Sequence, residues 1–280
     1  MGVTRLTGRL APTPSGHLHL GNALAFGAAW LSARGAGGRI VLRIEDLDRG
    51  RARDEVAAGQ RRDLLWLGID WDEEVTPQSQ RRYSLEGLPV YRCDCNRTAR
   101  LAGRCQCREV VRAAGAWRYR TPPGAVEVVD RALGVRSIVP EADPILVRED
   151  GEAAYPLAVV IDDARDGVTE VVRGADLLEA TATQIRLHEH LGFAPPTYLH
   201  VPVLLGTDGK KLSKSHGSTE IAALRSAGWT PGDIWATLLP LLGLPPGPLA
   251  CAPLDPAGIP EGPRVVGPDG RMAGSCNETR

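Results

Sequence analysis

Residues 12–22 read PTPSGHLHLGN. Two prolines, two glycines and two histidines in eleven positions make poor helix material and more than a plain turn requires. The flanks give the stretch its place. Upstream, Arg5–Leu10 reads as a short strand. Downstream, NALAFGAAWLSA (22–33) sets Leu24, Phe26, Ala29 and Trp30 at helical spacing, and GAGG closes that helix near residue 35. RIVLRIED then supplies a compact Ile/Val/Leu strand over 39–44, of the continuous apolar kind found in buried parallel sheets. A strand, a glycine-bearing turn, a helix and a parallel strand form a unit whose helix N-terminus suits a phosphate.

Further along, residues 53–67 read as a helix, and LGIDWDE (67–73) passes from strand to loop. Near Tyr91 the texture turns to cysteines, arginines and short apolar runs, irregular until about Pro144, which marks an insertion. The buried-strand pattern returns in PILVREDGEAAYPLAVVIDD (144–163), with ED-G as a hairpin turn and Asp162 and Asp163 at a strand end. ATATQIRLHEHLG gives a helix closed by Gly192, and TYLHVPVLL (197–205) a further strand. TEIAALRSAG and PGDIWATLLPLLG give two helices, the second with Pro231 in its first turn. From Pro245 onward, 8 prolines and 6 glycines in 36 residues are too many breakers for a separate domain. The fold class expected is α/β, a Rossmann-type parallel sheet split by an insertion and resumed, followed by a short helical C-terminal segment. The segments are 1–90 and 144–209 for the two sheet halves, 91–143 for the insertion, 210–244 for a loop and helices, and 245–280 for the tail.

A chain of 280 residues with 43% hydrophobic and 24% charged residues is ordinary for a globular protein and excludes wholesale disorder. Net charge is −1, so no global basic field announces nucleic acid. Thirteen arginines nonetheless fall between Arg49 and Arg112, enough for a local RNA-facing surface or for a merely solvated one. The N-terminus lacks the apolar core of a secretion signal, and no apolar run is long enough to span a bilayer. A cytoplasmic location with no membrane partner is therefore expected, and six cysteines there argue for thiols or metal over disulfides.

Two further stretches carry chemistry. In KKLSKSHGS (210–218), after the Asp208-Gly209 turn, Lys211 and Lys214 are point charges on a loop, suited to following the oxygens of a polyphosphate. In YRCDCNRTARLAGRCQC (91–107), Cys93, Cys95, Cys105 and Cys107 form C-x-C-x9-C-x-C, four thiolates on two short loops that can close a tetrahedron around zinc.

The P-x-P-S-G-x-x-H-x-G stretch, followed by K-L-S-K-S, resembles the paired ATP motifs of class I aminoacyl-tRNA synthetases, His19-Leu20-Gly21-Asn22 and Lys211-Leu212-Ser213-Lys214-Ser215. GRLAPTPSGHLHLGNA, RIEDLD, LGIDWDE, YPLAVVIDD and GVTEVVRGADL narrow the resemblance to the glutamyl-tRNA synthetase branch, over about residues 5–260. It implies L-glutamate, ATP with Mg²⁺, and tRNA as partners. Arg9, Ala11, Thr13, Glu45, Tyr155 and Arg173 would meet the amino acid, Glu45 by its ammonium. His19, Gly21, Asn22, Lys211 and Lys214 would meet ATP, with His19, Lys211 and Lys214 carrying catalysis and His17 left on the surface. The residue types agree: two arginines suit two carboxylates and one acid suits the amine. Duller pairings, Glu45 with Arg43 and Arg173 with Asp176, remain open.

The resemblance also implies one structural zinc in the insertion. Short members carry as third ligand a tyrosine four residues before the last cysteine; Gly103 stands there, so Cys105 would substitute, and Cys251 and Cys276 look incidental. Only 65 residues follow Ser215, which implies a truncated branch without an anticodon-binding domain, acting as a monomer. Such members activate glutamate and place it on the queuosine base of tRNA(Asp). Another acceptor (a tRNA 3′ end or a small molecule), a non-catalytic RNA-binding paralogue and an unrelated nucleotidylyltransferase remain as alternatives.

Overall fold

The TGRL segment forms β1 (Thr7–Leu10), buried along its length and paired in parallel with β2 (Arg39–Leu42) through Arg9↔Val41 and its neighbours. Between them runs α1 (Leu20–Gly35), which begins directly at the histidine-bearing turn. The computed structural model describes residues 5–140, 142–212, 219–250 and 253–273. Next, α2 (Asp54–Trp66) leads to β3 (Glu73–Glu74), which adds to β2 in parallel.

The stretch that reads as irregular is built from short strands. β4 (Val90–Cys93) and β5 (Ala116–Tyr119) pair antiparallel on either side of the cysteine loops, with the short helix α3 (Arg97–Leu101) between them. β6 (Val126–Asp130) and β7 (Gly134–Ile138) make a hairpin, and β8 (Ile145–Val147) returns to β5. β4 to β7 are only four or five residues long and half-exposed, with strict alternation of burial confined to β6 (Val126–Asp130), so they lack the apolar runs that announce a strand.

YPLAVVIDD is helical where its apolar run suggests a strand. It forms the helix α4 (Tyr155–Arg165), with Pro156 in the first turn and Asp162 and Asp163 buried within it. The run of Val159, Val160 and Ile161 imitates a strand because this helix is covered on several faces, which erases its periodicity. β9 (Glu170–Gly174) follows, then α5 (Leu178–Leu191), closed by Gly192 in the left-handed conformation (φ 72°), and β10 (Thr197–Val201). β10 lies parallel to both β9 and β6, giving the order β7-β6-β10-β9. β9 abuts β1: Thr169 N donates to Thr7 O and Thr7 N to Thr169 Oγ1, both at 2.9 Å. The C-terminal ends of β1 and β9 thus face one opening.

After β11 (Leu204–Leu205) come α6 (Ile221–Ser226) and α7 (Pro231–Leu238), the latter capped by Thr230. Trp235 of α7 is fully buried over Gly27 of α1 and donates from Nε1 to Leu67 O at 2.7 Å. The proline-rich tail is no separate domain: β12 (Arg264–Val265) pairs with β11, and Leu254, Ile259 and Val266 join the core around α1 and α7. Among the described residues no helical anticodon-reading domain is present, and no helix is long and apolar enough to cross a membrane.

Candidate active site

Where β1, α1 and β9 converge lies a cavity of about 300 Å³. Arg9, Ala11, Thr13, His19, Gly21, Asn22, Glu45, Tyr155, Arg173 and Lys211 all line it, residues the sequence scatters over two hundred positions. A neighbouring cavity of about 420 Å³ shares Ala11, Thr13, His19, Asn22 and Lys211 with it. Lys214 and Ser215 lie outside the described residues, as do Cys251 and Cys276.

The opening turn is fixed from below. Gln60 of α2, which sequence reading missed, donates from Nε2 to Thr13 O (2.9 Å) and Gly16 O (2.7 Å), and Glu45 N donates to Pro12 O (3.0 Å). His19 is the N-cap of α1: its Nδ1 accepts from Gly21 N, while Asn22 Oδ1 accepts from His19 N, both at 3.1 Å. This capping box places the ring proton of His19 on Nε2 as a donor and leaves Asn22 its Nδ2 amide to offer a ligand. His17, two residues earlier, is exposed.

The charged wall has two parts. Arg9 is buried, donates to Val172 O at 3.1 Å and lies 3.5 Å from Asp163. Arg43, fully buried, bridges Glu45 (3.3 Å), Asp163 (2.7 Å) and Asp166 (2.9 Å). Arg81 closes the network on Asp162 and Asp166, both at 2.9 Å. Burial pushes Glu45 above the usual carboxylate range, only partly offset by Arg43 and Arg9. Burial presses Asp163 the same way, but the Arg43 and Arg9 charges outweigh it and hold it below its ordinary value. The duller pairing of Glu45 with Arg43 is therefore real, and it coexists with Glu45 lining the pocket. Arg173 donates from Nη1 to Tyr155 Oη at 3.3 Å. Asp176, which the sequence offers as its partner, instead pairs with Lys211.

The four cysteines gather on the β4–β5 side. Their Sγ atoms all lie within 4.8 Å of one another, with Cys93–Cys105 at 3.7 Å and Cys95–Cys107 at 3.6 Å. A tetrahedron with metal–sulfur bonds of about 2.3 Å has edges near 3.8 Å, so the group can hold a metal ion. Hydrogen bonding to Cys107 and then Cys105 pushes the Cys95 thiol up to about 12. Gly103 sits at φ 68°, a left-handed turn disfavoured for a side-chain ligand, whereas Cys105 two residues on faces the cluster. Gly115 (φ 102°) lets β5 approach, since a Cβ there would meet the Cys93 carbonyl at 2.6 Å.

Several clustered arginines serve internal pairs: Arg61 with Glu74, Arg81 as above, Arg108 with Asp143. Arg92 covers the Trp117 ring at 4.5 Å. Arg49, Arg51, Arg53, Arg62, Arg82, Arg104 and Arg112 remain exposed.

Comparison with known proteins agrees with this geometry. The family model of the class I tRNA synthetases (E and Q), catalytic domain, matches residues 5–90 and 117–248, and the unmatched gap holds all four clustered cysteines. A glutamyl-Q tRNA(Asp) synthetase of Nitratidesulfovibrio vulgaris is 42% identical, with 86% of this chain and 87% of that protein covered. One of Deinococcus radiodurans is also 42% identical, over 86% and 90%. The crystal structure of a glutamate-tRNA synthetase from Elizabethkingia anophelis superposes with a TM-score of 0.70 at 23% identity, covering 85% of this chain. The chain spans 62% of that structure's length, and the likeness is one of fold. With motifs, sheet and pocket in agreement, the chain belongs to the class I tRNA synthetases of the E and Q branch and, within them, to the glutamyl-Q tRNA(Asp) synthetase family.

Proposed function

We propose that the protein activates L-glutamate with ATP and transfers it to the queuosine base of tRNA(Asp). The observation that carries this reading is the charge pattern of one cavity: two buried arginines and a buried acid beside a helix N-terminus and a lysine. Arg9 and Arg173 take the two carboxylates, Glu45 takes the ammonium, and Tyr155, Ala11 and Thr13 shape the remaining wall. ATP, entering as its Mg²⁺ complex, extends into the neighbouring cavity along His19, Gly21 and Asn22.

The first step is a displacement at phosphorus. An oxygen of the α-carboxylate bonds to the α-phosphorus, the bond to the β-phosphate oxygen breaks, and pyrophosphate leaves. Such a reaction needs alignment and charge stabilisation more than proton transfer. His19 and the α1 N-terminus meet the phosphates, and Lys211, with Lys214, draws off the pyrophosphate. Lys211 must first leave Asp176, so that ion pair holds it in store until a stronger anion arrives. In the second step a hydroxyl of the modified base attacks the activated carbonyl, its proton leaves, and AMP departs.

Segment 91–143 acts as the acceptor-facing insertion of a monomeric enzyme. Cys93, Cys95, Cys105 and Cys107 hold Zn²⁺, which supplies folding energy there. The test is incubation with labelled glutamate, ATP and total tRNA from queuosine-containing and queuosine-free cells. Label confined to the first pool is expected; equal label in both would remove queuosine while leaving glutamate activation intact.

A further inference from the structure

The side of Arg173 turned away from the cavity is held by groups that none of the motifs contains. Its Nε donates to His200 Nε2 at 3.2 Å and its Nη2 to Thr181 Oγ1 at 2.8 Å, while the Thr181 hydroxyl donates onward to Leu177 O at 3.1 Å. A guanidinium has donors only, so the His200 nitrogen facing it must be the lone-pair nitrogen. The ring proton then sits on Nδ1, which lies 2.7 Å from Asp130 Oδ2. The Asp130 carboxylate is saturated: Oδ2 also accepts from His200 N (3.0 Å), and Oδ1 accepts from Ala132 N and Leu133 N, both at 2.9 Å. Every member is buried, with Asp130 at 3%, His200 at 1%, Thr181 at 0% and Arg173 at 5% exposure.

The three strands involved are neighbours in the β6-β10-β9 order, so the set crosses the sheet from the β6–β7 turn to the cavity. The links from Asp130 through His200 to Arg173 each have one allowed sense, while the Thr181 hydroxyl, 3.3 Å from His200 Nε2 as well, can turn to either acceptor. An ionised carboxylate only accepts, which fixes the tautomer; the tautomer leaves one acceptor, and that acceptor fixes the rotation of the guanidinium plane. Fixing that plane determines where the remaining donors of Arg173 point in the cavity, and bidentate recognition depends on that direction.

We propose that Asp130 and His200 are positioning residues that orient Arg173 for a ligand carboxylate. The identity of that ligand rests on the glutamate reading above, but the arrangement itself does not. The decisive variant is Asp130→Asn. Its amide turns the imidazole proton to Nε2, so that two donors oppose each other at Arg173, the kind of tautomer error that cripples a His–Asp pair.

The experiment combines glutamate-dependent ATP–pyrophosphate exchange, thermal melts and ¹⁵N spectra of the labelled imidazoles. In Asp130→Asn the glutamate KM should rise roughly 10- to 100-fold, with the ATP KM changed less than about threefold. His200→Gln, whose Oε1 can accept from Arg173, should recover glutamate KM to within about fivefold of wild type; His200→Phe, of similar bulk and no acceptor, should not. The ¹⁵N spectrum should show Nδ1–H on His200 in the wild type and Nε2–H in Asp130→Asn. Equal rises in both KM values, equal behaviour of the Gln and Phe variants, or Nε2–H in the wild type would each overturn the proposal. Absence of glutamate-dependent exchange in the wild type would overturn the functional reading instead, and the imidazole spectrum would still decide the arrangement.

Discussion

Glu45 shows how one side chain can serve two charges. It lies against Arg43, yet burial still raises its proton affinity, so it gains from a second cation at the cavity side. Glu45→Gln keeps the volume and removes that attraction. Losing one partner of a buried charge pair costs about 2–5 kcal/mol, which corresponds to a rise in glutamate KM of at least about 30-fold. Exchange kinetics at saturating ATP measure it, with the ATP KM expected to change less than about threefold. Residues that line the cavity were legible in the sequence, because the proposed ligands dictate their type: Arg9, Glu45, Arg173 and Lys211 would each answer a charge on glutamate or ATP. His200, Asp130, Thr181 and Gln60 were not. They answer other side chains, and the distances between them exist only after folding.

At the scale of elements, α1 carries both the cap that faces the cavity and the groove that receives α7. Gly27 lies in that groove, and a Cβ there would meet the Trp235 ring at 2.5 Å. Helix propensity favours alanine over glycine by about 1 kcal/mol. Overpacking costs about 1–3 kcal/mol and here must move a fully buried indole, so packing wins. Gly27→Ala should therefore lower the urea midpoint, and an unchanged or raised midpoint would refute the contact. The cysteine loops make a second case. Cys105→Ser removes one of four sulfurs, and metal content measured by elemental analysis should fall from about one per chain to well below half. Elements were read well where periodicity was intact, as in α1 and in α5 with its Gly192 cap. They were misread where it was hidden, because α4 is covered on several faces and β4 to β7 are too short to establish a period.

For the whole molecule, two buried histidines contribute to the response to acid. His188 of α5 is 2% exposed, its Nδ1 has no hydrogen-bond partner among the described residues, and burial lowers its proton affinity despite Asp163 nearby. Below its ordinary value of 6.5 the unfolded chain takes up a proton that the folded chain refuses. Its contribution is therefore fully present above pH 6.5 and falls as pH drops from there toward the lowered folded value. The slope approaches about 1.4 kcal/mol per pH unit for one proton. His188→Leu should flatten the fall in stability between pH 7 and 5 relative to wild type in denaturant titrations. His200, also lowered chiefly by burial, acts with the same sign and leaves part of the slope behind.

The sunken ionic network of Arg43, Asp163, Asp166 and Arg81 has a consequence for ionic strength. Mobile ions in the solvent screen charges they can surround, and these they cannot reach. The exposed arginines over residues 49–112 would be the opposite case where they meet RNA phosphates, since such contacts weaken with each counterion released. Added KCl should thus split the two halves of the reaction. Between roughly 50 and 200 mM the glutamate KM in exchange should change less than about twofold, while transfer to tRNA falls by tenfold or more. One polypeptide would then hold its small substrate in a medium the cell's salt does not touch, and its large one in a medium that salt governs.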